Sequence, residues 1–138
     1  METKVLISII VFAALALHGR WAYSRDCDVA DADQATLNEC ASAAFREADR
    51  ALNSDYQQIV QRLADEPEKK ALLVTAQRRW IAYRDDECAF QTSGASMGSV
   101  YPMLLSYCKA AQTNERVHQL KAYLACEEGD MSCPVPRP

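Results

Sequence analysis

AQRRWIAYRDDEC, residues 76–88, is the stretch whose reading decides the fold. It sets a Trp, a Tyr, three arginines, two adjacent aspartates, a glutamate and a cysteine within fewer than four helical turns. Such a stretch is an active site, a binding face, or a core helix with charged edges. Leu72, Leu73, Ala76, Trp80 and Tyr83 recur at steps of three and four, which marks one apolar helix face. Trp80 and Tyr83 are therefore read as core. Asp85, Asp86 and Glu87 are consecutive, so they fan around a helix and do not converge on one point. Arg78 and Arg79 read as a solvated face. Arg84 is expected to pair with Asp49 of the preceding helix, a charge link that would lock the register of two antiparallel helices.

That preceding helix is legible upstream. Leu37, Ala41, Ala44, Ala48, Leu52, Tyr56, Ile59 and Leu63 form one amphipathic stripe, with no Gly or Pro to interrupt it. Thr36 with Glu39 has the spacing of a capping box and places the start. Pro67 then punctuates and suits the first turn of the next helix, because its missing N–H would be unpaired there anyway. A short connection between two long helices predicts an antiparallel hairpin.

Downstream, TSGASMGS, residues 92–99, reads as a loop. Ser99 can cap a third helix with Pro102 in its first turn. Thr113 reads as a fresh N-cap for a fourth, with Gly129 closing it. The fold class expected is all-α: an antiparallel helical hairpin plus two shorter helices, stapled by disulfides.

The 138-residue chain has room for one ordinary domain. Its first residues carry Lys4, then a run from Val5 to Leu17 that is apolar but for Ser8, then Ala22-Tyr23-Ser24. This is the pattern of a signal peptide over residues 1–24, cleaved after Ser24. The run is too short for the roughly 20 residues of a spanning helix. The organisation expected is a signal peptide at 1–24, a helical domain at 25–126 and a Pro-rich tail at 127–138. Loss of residues 1–24 removes Glu2, Lys4 and Arg20, leaving 13 basic and 18 acidic residues. An acidic balance argues against nucleic acid as partner and is compatible with a cationic one, though plain solubility explains it most simply.

Cys27, Cys40, Cys88, Cys108, Cys126 and Cys133 all follow that segment. An even count in a small exported chain reads as disulfides. Cys126–Cys133 would tie down the tail, Cys88–Cys108 would close the 92–99 loop, and Cys27–Cys40 would pin the N-terminal segment. Cys40–Cys88, at comparable heights on facing helices, is the rival pairing.

Catalytic chemistry is not visible. His118 is the one histidine after residue 24 and lies among charged helical neighbours, so it reads as a surface residue. No phosphate-cradling glycine loop and no metal-ligand spacing occur. The chain reads as a non-enzyme without cofactor or metal.

Taken in order, several pieces carry a resemblance: Cys27, Leu37-Asn38-Glu39-Cys40-Ala41, Ala48-Asp49, Leu52-Asn53 and Tyr56. Ala76-Gln77-Arg78, Trp80-Ile81, Tyr83-Arg84-Asp85 and Cys88 follow, then Gly98-Ser99, Cys108, Thr113, Arg116 and Leu120. The sequence resembles the LprI-type lysozyme-inhibitor family of small exported bacterial proteins. The resemblance implies a helical exported domain, periplasmic or secreted, some members of which bind and inhibit lysozyme. This chain differs from lipoprotein members in having no lipidation cysteine, and Cys126 and Cys133 lie outside the shared motif. The partner implied is a cationic lysozyme, c-type foremost. The 93–97 loop (Ser93, Gly94, Ala95, Ser96, Met97) is the candidate for entering its cleft. The alternative is an immunity or adaptor protein for another envelope-directed toxin or partner.

Overall fold

The computed structural model describes Cys27, residues 31–127, residues 129–135 and Arg137. The expected signal segment lies outside them. The chain divides into two compact units, residues 1–37 and 38–138.

In the first unit Asp31 lies in a turn, and helix α1 (Gln34–Arg62) begins three residues later. Its cap is Asp33, whose Oδ1 accepts the Thr36 N–H at 2.8 Å. That bond and the Thr36 hydroxyl hold the Asp33 carboxyl below its ordinary value. The Thr36/Glu39 box is therefore not the start, and Thr36 donates at the third helical position. A carboxylate makes a charge-assisted bond there that a hydroxyl does not.

In the second unit α1 continues, followed by α2 (Pro67–Gln91), a 3₁₀ turn (Ser93–Ala95) and α3 (Tyr101–Leu124). Among the described residues there is no strand. Pro67 opens α2, with Glu68 in its first turn. Partner order gives the topology. Gln77 meets Arg116, Arg84 meets Thr113 and Cys88 meets Cys108, so α2 and α3 run antiparallel. Asn38 meets Ser99, Phe45 meets Lys109 and Arg62 meets Leu124, so α1 runs parallel to α3.

The two shorter helices expected after residue 99 are one continuous helix. Thr113 is wholly buried in its middle. Nothing from Tyr101 to Leu124 interrupts it except Pro102, which sits harmlessly in the first turn. The Thr113 hydroxyl, read from sequence as a cap, instead accepts a hydrogen bond from Arg84. Val100, not Ser99, is the N-cap residue, and the Ser99 carbonyl accepts from Asn38. The helix ends at Ala125, whose N–H returns to the Lys121 carbonyl. Gly129, at φ 85°, serves a later turn.

The core is built unequally. Leu52 and Ile59 of α1 and Leu63, just after its end, pack with Val117 and Leu120 of α3 and with Val135 of the tail. Each large aliphatic side chain so buried contributes about 1.5–3 kcal/mol. The buried stripe of α2 is Gln77, Arg84 and Cys88, at steps of seven and four. Those residues are not apolar, which is why an apolar-stripe reading of α2 selects the wrong side. Ala76 is exposed and Tyr83 is 55% exposed, whereas Trp80 is half-buried against the core. On α1 Asp55 is buried while Tyr56 lies at the core margin, and Ala44 is exposed.

Candidate functional site

Arg84 is the centre of the buried polar chemistry. Its side chain is 8% exposed. Nε donates to Asp85 Oδ1 at 3.0 Å, with Nη2 2.9 Å from the same oxygen. Nη1 donates to the Thr113 hydroxyl at 3.4 Å and lies 3.8 Å from Asp49 Oδ1. The guanidinium sits over both Phe45, at 5.1 Å, and Trp80, at 5.3 Å. Lys109 of α3 reaches Asp85 at 3.2 Å. Burial on its own raises the Asp85 carboxyl, but the hydrogen bonds and charges of Arg84 and Lys109 outweigh it and hold the group below its ordinary range.

This cluster touches all three helices, and its guanidinium is enclosed by rings and hydroxyl. What its contacts do is hold α1, α2 and α3 together. Asp49 is the more distant of its two carboxylates, and Asp85 is the closer one. Sequence reasoning missed Lys109 and Phe45, and gave Thr113 the role of a cap instead of an acceptor for Arg84. Phe45 and Trp80 carried a usable signal, since two aromatic rings on adjacent amphipathic helices are a natural sandwich for an arginine.

At the far end of α2 stands the 92–99 loop. Cys88 and Cys108 are bridged across its base, with Cα atoms 5.6 Å apart. Thr92 is buried, and its hydroxyl donates to the Cys88 carbonyl at 2.7 Å. A chain of short turns follows: Ala95 N–H to Thr92 O, Ser96 N–H to Ser93 O, Gly98 N–H to Ala95 O and Tyr101 N–H to Gly98 O. Thr92, Ser93, Ala95, Ser96 and Gly98 are thus each tied to a residue three positions away, and the ends are fixed to helices. Ser93, Gly94, Ser96 and Met97 are exposed, Met97 at 98%, and Ala95 is half-buried. A Cβ at Gly94 would meet nothing within 4 Å, whereas one at Gly98 would press on the Ala95 carbonyl at 3.3 Å. The loop carries no charge of its own. On the helices flanking it, Phe90 and Tyr107 are also exposed.

Cys126 is bridged to Cys133. Cys27 and Cys40 are also disulfide-bonded, and no described cysteine is free. With Cys88 committed to Cys108, the pairing Cys40–Cys88 does not occur. His118 is exposed on α3. Among the described residues no cluster of His, Cys, Asp or Glu could hold a metal ion, and no helix is long and apolar enough to cross a membrane.

The family model described as lysozyme inhibitor LprI matches residues 26–120. The chain belongs to the LprI family. An uncharacterized protein of Rhizobium meliloti (strain 1021) is 37% identical over 114 residues, covering 75% of this chain and 81% of that one. No solved structure matches. The LprI match spans the Arg84 cluster, the Cys88–Cys108 bridge and the loop, and it ends before Cys126 and Cys133.

Proposed function

We propose that this protein is exported to the periplasm or beyond, and that it binds and inhibits a lysozyme without itself being an enzyme. The c-type enzymes are the foremost target, and the loop 93–97 is the contacting element. The observation that carries the reading is the loop: exposed, uncharged, closed at its base by Cys88–Cys108 and internally hydrogen-bonded. A loop already ordered before binding loses less conformational freedom when it enters a cleft. Membership of the LprI family supports the target class. A net charge of −4 supports encounter with a strongly basic enzyme, because opposite fields accelerate association.

The test is lysis of a sensitive cell suspension, with oxidised protein titrated against c-type, g-type and i-type lysozymes. Saturable inhibition of the c-type enzyme is expected. Replacing Ser93–Met97 by an unrelated sequence of equal length should then abolish inhibition while helix content is retained. Unchanged inhibition by that folded variant would reject the loop as the contact. Failure to inhibit any of the three classes would reject the lysozyme reading and point to another envelope-directed partner.

A further inference from the structure

A groove of about 250 Å³ lies near the α1–α2 connection. Roughly 35 Å of helix separate Lys69, which lines it, from Thr92 at the inhibitory loop. Its apolar wall comes from Ile59 of α1, Leu63 of the turn after it, Leu73 of α2, Tyr123 of α3 and Val135 of the tail. Leu72 is on its lining and is 71% exposed. Val135 is brought there by the segment that Cys126–Cys133 closes.

The groove is not wholly apolar. Arg116 lines it and is only 9% exposed. Its Nε donates to Gln77 Oε1 at 3.1 Å and its Nη1 to Gln119 Oε1 at 2.8 Å. The remaining contact is with the Trp80 ring, at 5.9 Å. All these partners are neutral. Among the described residues no carboxylate comes within ion-pair distance of Arg116. The contrast with Arg84 is direct: two buried arginines flank Trp80, and one has a carboxylate on it while the other has none. A buried guanidinium without an anion is costly, and its fork geometry matches a carboxylate. Lys69 adds a second cation, held only by an exposed pair with Glu66 at 3.2 Å, which is weak enough to exchange.

We propose that this groove binds a single-chain carboxylate amphiphile of the fatty-acid type, its alkyl chain against Ile59, Leu63, Leu73 and Val135 and its carboxylate on Arg116. An apolar channel with a lone buried cation on its wall fits one apolar chain with one negative head. A neutral chain would leave the guanidinium unpaired, and a cationic one would be repelled.

Decanoate, decanol and decyltrimethylammonium are the probes, each titrated calorimetrically into the oxidised full chain below its micelle concentration. Decanoate should bind with one-to-one stoichiometry, decanol at least tenfold more weakly, and decyltrimethylammonium without measurable heat. Leu72→Glu places a negative charge on an exposed position of the lining and should weaken decanoate at least tenfold. Ala76→Trp, also at an exposed lining position, should block the groove and abolish binding, with the thermal transition unchanged. Lys69→Gln should weaken decanoate severalfold and leave decanol unaffected. Equal binding of decanoate and decanol, no binding of decanoate, or undiminished binding by Leu72→Glu would each overturn the proposal. None of these readouts involves lysozyme, so the outcome is independent of the inhibitory loop.

Discussion

Replacing Cys88 and Cys108 together by alanine opens the base of the 92–99 loop while leaving every residue of the loop in place. The two cysteines are 20 apart in sequence. In the chain-entropy description, closing such a loop removes freedom from the unfolded chain worth about 3 kcal/mol. Cys88 is wholly buried, so loss of its sulfur removes packing as well and adds about 1 kcal/mol. The loop keeps its own turns and the Thr92 bond to the Cys88 carbonyl, so local order is weakened and not erased. The expected destabilisation is about 3–4 kcal/mol, which for a domain near 100 residues lowers Tm by about 15–20 °C. Urea unfolding followed by far-ultraviolet circular dichroism measures the first quantity. Lysozyme inhibition, the activity proposed above, reads the loss of loop order at a temperature where both proteins are folded, and should weaken about tenfold, or about 1.4 kcal/mol. A destabilisation below about 1 kcal/mol would refute the chain-entropy argument. The full destabilisation with unchanged inhibition would refute the claim that the bridge preorganises the binding loop.

Three further outcomes are expected. Arg84→Met keeps much of the packing but loses two ring contacts and the bonds to Asp85 and Thr113, and should cost about 2–3 kcal/mol in urea unfolding. The lowered Asp85 carboxyl should support stability fully above its ordinary value of 3.8 and lose that support as pH falls through the lower folded-state value. Asp85→Asn should flatten that part of an acid-unfolding curve, and an unchanged curve would count against the Arg84–Asp85–Lys109 network. Asp55 is 8% exposed, and its Oδ2 has no hydrogen-bond partner among the described residues. Asp55→Ala should therefore raise stability by about 1–2 kcal/mol, from relieved burial and better helix propensity, and a loss of stability would show that the carboxylate has a stabilising role.

The stretches that hydrophobic period governs were legible in the sequence. The α1 stripe, the Pro67 start of α2 and the 92–99 loop follow from apolar spacing, Pro and Gly, which act locally. The readings that failed depend on tertiary partners. Thr113 has the residue type of a cap, but a hydroxyl serves as well as an acceptor for a buried arginine, and nothing local distinguishes the two uses. Tyr83 continues an apolar-looking stripe, yet α2 turns Gln77 and Arg84 inward because α3 offers Arg116 and Thr113 to meet them. Asp33 outcompeted Thr36 as cap through its charge, a signal that was present and could have been weighed. The groove was invisible to local pattern, since its lining comes from three helices and the tail.

Several of the residues by which this chain resembles its family assemble the scaffold. Trp80, Arg84 and Asp85 build the charged centre, Cys88 and Cys108 fasten α2 to α3, and Thr113 and Leu120 lie wholly buried. Substituting any of them changes stability before it changes a binding surface. The exposed positions Ser93, Gly94, Ser96 and Met97 have the opposite character: Gly94 has open space around it and Met97 is almost bare. Folding therefore places little restraint on those side chains, provided Thr92, Gly98 and the disulfide hold the ends. If the loop is the contact, as proposed above, such a scaffold can keep its interior while the loop is fitted to one target or another. The physical route to the target is to graft residues 93–97 between family members and ask whether lysozyme preference travels with the loop. If preference stays with the scaffold, the contact surface lies on the helices, where exposed Phe90 and Tyr107 flank the loop.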